Sequence, residues 1–126
     1  MPTQWPLSFR WALANGLKQM VPWHFIPDLD DDLGRITDST FRKESTRDIE
    51  VRTFARRQDC DDFAGFIVES GEITDRVICF HPSFGGTKND YLIDSEIDGF
   101  WTFLTKVVIP DTVDWASEDD LEDVTQ

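Results

Sequence analysis

The sequence predicts an α+β domain: a central, mainly antiparallel sheet of about four or more strands, flanked by an N-terminal and a C-terminal helix. Three observations lead there. Apolar residues recur at three- and four-residue steps near both ends of the chain, the period of a helix with one buried face. Between them, residues 49–81 alternate polar with apolar or run apolar, with turn residues at short intervals, as consecutive strands of a meander do. Ten Phe and five Trp among 126 residues supply enough apolar material for one core, and far more aromatic surface than a disordered chain carries.

In chain order, residues 6–20 read as the first helix. Leu7, Trp11, Ala14, Leu17 and Val21 share one face at helical spacing and are its expected core side. Pro22 lacks a backbone donor and restricts Val21, so the helix should stop there, and Gly16 weakens it from within. Residues 27–48 are polar and are expected as a solvated loop, with Phe41 in a short edge segment. Ile49, Val51 and Thr53 alternate with Glu50 and Arg52, which describes a strand with one wet face. Residues 63–68 are apolar on both faces and fit a central strand. Residues 69–72 fit a hairpin turn, residues 76–81 the next strand, and residues 91–93 a short fourth one.

The last helix is expected to be capped by Ser95, with Asp98 near the positive end of its dipole. Ile97, Phe100, Trp101, Leu104, Val107 and Val108 make its apolar face. Pro110 should end it, and Trp115 would pack back on the domain. A single domain over residues 1–115, with helices covering one side of its sheet, is therefore expected. A tail follows: residues 116–126 carry five acids and no base and should fray.

The charge is unevenly spread. Twenty-five acidic against twelve basic residues give a formal charge of −13, and residues 89–126 hold eleven of the acids with Lys106 as their one base. Direct binding to nucleic acid is disfavoured, because phosphate contacts need Lys and Arg. A basic partner would be steered in instead. The N-terminal residues lack the basic and apolar regions of a secretory signal, and no apolar run approaches the ~20 residues of a membrane span. A cytoplasmic protein without membrane contact is expected.

His24, His81, Cys60 and Cys79 are the conceivable zinc ligands, but their separations match no common pairing of close ligands. Asp28, Asp30, Asp31 and Asp32 suggest a calcium loop, yet the sixth and twelfth positions from Asp28 are Leu33 and Ser39 rather than Gly and Glu. Asp59, Asp61 and Asp62 would suit acid/base work or a magnesium ion. Adjacent carboxylates on an extended chain diverge, however, and Asp is favoured in a strand-to-strand turn for its own sake. Ser83 lies outside a nucleophile elbow. Gly85-Gly86-Thr87-Lys88 lacks the first Gly of a phosphate loop and reads as a turn. No cofactor, no metal and no catalytic activity are expected.

Residues 54–66, Phe-Ala-Arg-Arg-Gln-Asp-Cys-Asp-Asp-Phe-Ala-Gly-Phe, carry a resemblance. Their Arg-Arg-Gln-Asp-x-Asp-Asp run resembles a signature of the SUKH superfamily, domains related to fungal cell-wall-synthesis regulators and abundant in bacteria as immunity proteins. Pro22-Trp23-His24-Phe25-Ile26 after a helix resembles the family's opening segment, and residues 98–104 its closing helix. His81, at the end of the strand after the signature, also fits. Many members carry Gly or Asn where this chain has Cys60, a position at which a left-handed backbone would strain Cys.

The resemblance implies an α+β sheet domain without catalytic apparatus that binds a protein partner, most specifically a cognate toxin such as a nuclease. A regulatory or scaffold module for a cellular protein, or a small-ligand cleft near Trp23 and His81, are the alternatives. Trp23, Arg56, Arg57, Asp61, Asp62 and His81 are the candidate contact residues. The other expected role of Arg56 or Arg57 is structural, pairing with the Asp turn.

Overall fold

The computed structural model describes residues 4–118. Leu7–Ala14 forms the first helix, α1, shorter than the expected 6–20. Gly16 ends it. At φ +92° it takes the left-handed conformation that glycine accepts freely. The Gly16 N–H then donates to Leu13 O, and the Leu17 N–H to Ala12 O, closing the helix in a Schellman motif. The chain continues as a small hairpin, β1 (Gln19–Met20) and β2 (Trp23–Phe25), around a cis Val21–Pro22 bond.

Residues 27–48 are not the expected loop. Asp32–Glu44 is a helix, α2, whose N-cap Asp31 accepts a 3.0 Å bond from the Gly34 N–H. Its inward residues are Gly34, Thr37, Phe41 and Glu44. They keep helical spacing, but only Phe41 is strongly apolar, so the period is one of burial rather than of hydrophobicity. Phe41 belongs to this helix and not to an edge strand.

The meander follows as β3 (Glu50–Arg57), β4 (Phe63–Glu69), β5 (Glu72–Phe80) and β6 (Ile93–Ile97). With β1 and β2 it makes a six-stranded antiparallel sheet in sequence order. Strand β3 runs four residues past the expected Thr53, with a register break between Thr53 and Ala55. Ser70 and Gly71 both have positive φ between the paired Glu69 and Glu72, as a two-residue type I′ hairpin requires. The last strand begins at Ile93, so Ser95 is a strand residue opposite Cys79 and caps no helix.

The C-terminal helix begins after Gly99 and continues through Pro110 rather than ending there. It comprises α3 (Phe100–Phe103), a π turn (Leu104–Val108) and α4 (Ile109–Glu118). Pro110 directly follows the π turn inside this continuous helix, where its missing N–H leaves one carbonyl of that turn without a helical donor. The π turn spends one extra residue, which puts Phe103 and Val108, five apart, both in the core. Trp115 is half-buried on α4; residues 116–118 are still helical, and the rest of the expected frayed tail, 119–126, lies outside the described residues.

Both faces of the sheet are covered, not one. Helices α1, α3 and the π turn pack on the first face, over Phe54, Ala64, Phe66, Val77 and Cys79. Phe41 of α2 and Leu92 of the loop between β5 and β6 pack on the second, over Val51, Phe63, Ile67, Ile78 and Phe80. The core side of α1 is also corrected: Phe9 and Ala12 are buried, whereas Leu7, Trp11 and Ala14 are exposed.

Candidate functional site

The signature residues gather at one end of the sheet, where β3 passes into β4 through residues 58–62. The turn is held on several sides. Arg57 N–H donates to Asp62 O, Gln58 N–H to Pro22 O, and the Gln58 side chain meets His24 Nε2 at 2.5 Å. Cys60 is not at positive φ; among the described non-glycine residues only Ser70 and Phe84 are. The turn needs no left-handed residue there, so Cys60 is accommodated.

Arg57 is the hub. Its Nε and Nη2 donate to Asp59 Oδ1 and Oδ2 at 2.9 and 3.0 Å, a two-pronged pair, and its Nη1 reaches Asp111 Oδ2 of α4 at 3.2 Å. The buried Trp23 indole donates to the same Asp111 oxygen at 2.9 Å. Trp23 and Arg57 therefore tie β2, β3 and the turn to the C-terminal helix. The Arg57 hydrogen bonds hold the Asp59 carboxyl below its ordinary pKa.

Beside it, His81 Nδ1 meets Asp62 Oδ1 at 2.6 Å, and Cys60 Sγ donates to Asp62 Oδ2 at 3.3 Å. The hydrogen bond to Asp62 raises the His81 pKa against partial desolvation, with Asp94 and Asp61 adding to the effect. Asp94 is itself pushed up, by burial first and then by Asp62. Partial desolvation of the Cys60 sulfur, with Asp62 and Asp59 nearby, and burial of Cys79 push both thiols up to about 11. Both stay protonated at neutral pH and are poor nucleophiles.

Two clefts flank the turn. A narrow one of about 160 Å³ lies toward the C-terminal helix, lined by Trp23, Arg57, Asp62, Asp94, Val107 and Asp111 among others. A broader one of about 410 Å³ lies toward α2, with Leu33, Arg56, Asp61 and Phe84 on its walls. The six expected contact residues thus divide. Trp23 and Asp62 line the first cleft, Arg56 and Asp61 the second, Arg57 lines both, and His81 stands beside the first through its contact with Asp62. Neither Arg56 nor Asp61 makes a side-chain hydrogen bond or ion pair among the described residues.

No local sequence motif marks Asp94 or Asp111. The eleven acids of residues 89–126 signalled an acidic segment, but only the sheet order and the helix path bring these two beside the turn. A larger cleft of about 760 Å³ at the opposite end of β3 and β4 is lined by Arg42, Arg47, Lys88, Glu50 and Glu69. Arg42 there is paired with Glu50 at 2.7 Å, and Lys88 donates to Ser45 O at 3.0 Å.

The other candidates resolve into structure. In the phosphate-loop-like stretch the backbone does cradle an anion, but it is the chain's own Glu44: the Ser83 N–H, Ser83 hydroxyl and Gly86 N–H donate to it at 2.8, 3.1 and 3.3 Å. In the calcium-like stretch Asp28 accepts from the Asp30 N–H, and Asp31 caps α2. Among the described residues no group of three or more His, Cys, Asp or Glu is placed to hold a metal ion, and no helix is long and apolar enough to cross a membrane. No family model, curated protein or solved structure matches the chain.

Proposed function

We propose that the chain is a non-catalytic, protein-binding domain of the SUKH type, acting in the cytoplasm as an immunity protein that occupies a basic toxin domain such as a nuclease. The observation that supports this is the acidic end of the sheet. Asp59, Asp61 and Asp62 of the turn, Asp94 of β6 and Asp111 of α4 lie there, five carboxylates against Arg56 and Arg57, and Arg57 is already paired with two of them. A rigid surface with surplus carboxylates speeds encounter with a basic protein and selects against acidic ones.

The test is co-expression in a bacterial host with the product of the neighbouring gene. The wild-type chain is expected to rescue growth and to co-purify with that product. The double variant Asp61→Lys/Asp94→Lys should weaken the complex at least about tenfold, mainly through slower association at low salt. A neighbour that is not toxic, or whose toxicity the chain leaves unchanged, overturns the reading.

A further inference from the structure

The helical side of the molecule carries an apolar stripe that the core does not use. Leu7 and Trp11 of α1 are 71% and 58% exposed, and Trp101, Ile109 and Val113 of the C-terminal helix are 47%, 44% and 57% exposed. Trp11 and Trp101 meet edge to face with ring centroids 5.7 Å apart, which joins the two helices' contributions into one surface. The π turn that aligns Phe103 with Val108 in the core has a second consequence. With one residue absorbed, Trp101 and Ile109 fall on the same outward side, and Val113 follows one turn later.

Large apolar residues scattered singly on a surface need no explanation, but two exposed indoles packed on one another, with three more exposed apolar residues on the same two helices, do. Tryptophan is also the residue most enriched among those that dominate binding energy. The charge selects the occupant. The stripe lies on a chain of net charge −13, and its helix belongs to the segment, 89–126, in which Lys106 is the single base. Exposed Asp98 and Asp114 lie three residues before Trp101 and next to Val113 in sequence, against exposed Arg10 next to Trp11. A second copy would bring two such acidic helices together, whereas Arg or Lys side chains fit both the field and the indole faces, on which a cation is attracted by the ring quadrupole.

We infer that this stripe, Leu7, Trp11, Trp101, Ile109 and Val113, is a docking face for a protein partner whose surface presents Arg or Lys on an apolar ground. The inference rests on the protein-binding reading above but places the short-range contact on the helices rather than on the acidic end of the sheet.

The probe is a peptide of alternating Leu and Arg, titrated against the full chain in about 0.5 M salt, where long-range attraction is screened and short-range contact remains. Indole fluorescence and calorimetry report binding, and sedimentation reports the oligomeric state. The wild-type chain is expected to bind. Trp11→Ala/Trp101→Ala should weaken binding at least tenfold, Leu7→Ser should weaken it less, and Asp61→Asn/Asp94→Asn should change it under threefold. Unchanged melting curves certify that each variant is folded, and Leu7→Ser, at the edge of the stripe, serves where the double variant is not. Loss confined to the Asp variants overturns the inference while leaving the acidic-end reading standing. No binding by the wild-type chain, equal binding by all variants, or a wild-type dimer dissolved by Trp101→Ala overturns it as well.

Discussion

The two faces of the sheet are built from different materials. On the first, Phe9, Phe54, Phe66, Phe100 and Phe103 form a continuous aromatic core, with Phe54 and Phe66 stacked at 3.9 Å between centroids. On the second, Phe41, Phe63 and Phe80 are joined by carboxylates. Glu44 is fully buried beneath residues 83–86, and Asp38 of α2 accepts a 2.6 Å bond from the Thr53 N–H of β3. Apolar contact is indifferent to pH and loop path, whereas a buried carboxylate ties stability to both. The first face is therefore the mechanical base of the fold, and the second is its adjustable side.

The largest effect should come from breaking the aromatic face. Phe66→Ala removes a fully buried ring from the middle of the core and is expected to cost about 3–5 kcal/mol in a denaturant melt, at any pH in which the chain folds. A cost under about 1 kcal/mol would mean that this face does not dominate.

Next comes Glu44. Burial alone would raise its pKa, but the Ser83 and Gly86 N–H groups and the Ser83 hydroxyl outweigh that and hold it below the ordinary value. A depressed folded pKa contributes stability above the unfolded value, which is lost as pH falls through the folded one. Glu44→Ala should cost roughly 1–3 kcal/mol at neutral pH and less in acid. Hydrogen exchange in residues 83–86 should accelerate before the rest of the sheet does.

The smallest effect has the opposite sign. Burial raises Asp38 from 3.8 to about 6, against the Thr53 hydrogen bonds and Arg52. Between those two values the native state binds more protons than the unfolded chain, so this group lowers stability as pH rises from about 4 to about 6. Asp38→Asn should flatten that slope and gain roughly 1–2 kcal/mol at neutral pH. Unchanged pH dependence in Asp38→Asn would show that the two faces do not differ in this way.

Local patterns were enough to read the α+β class, the 69–72 hairpin and the strands on either side of it. There the period-two alternation, the apolar run and the Ser-Gly turn are all short-range properties of the chain. The same holds for the 58–62 turn, whose Asp residues favour a turn wherever it lies. Helix α2 was hidden because its buried face is Gly34, Thr37, Phe41 and Glu44, and burial of a Glu depends on N–H groups supplied about forty residues later. The core side of α1 was hidden for the converse reason: both of its sides are apolar, and only packing against Phe54, Phe66 and Phe100 selects Phe9 over Trp11.

The candidate site divides along the same line. Trp23, Arg57, Asp62 and His81 could be named in advance because each lies in or next to a local motif. Their convergence with Asp94 and Asp111 is a product of strand order and of a helix that continues through Pro110. What the sequence determined by itself was therefore which residues turn, alternate and carry charge, since those depend on neighbours in the chain. Which apolar face is core, which carboxylate is buried and which acids share one end of the sheet were decided by the tertiary structure, because burial and charge proximity are set by residues far apart in the chain.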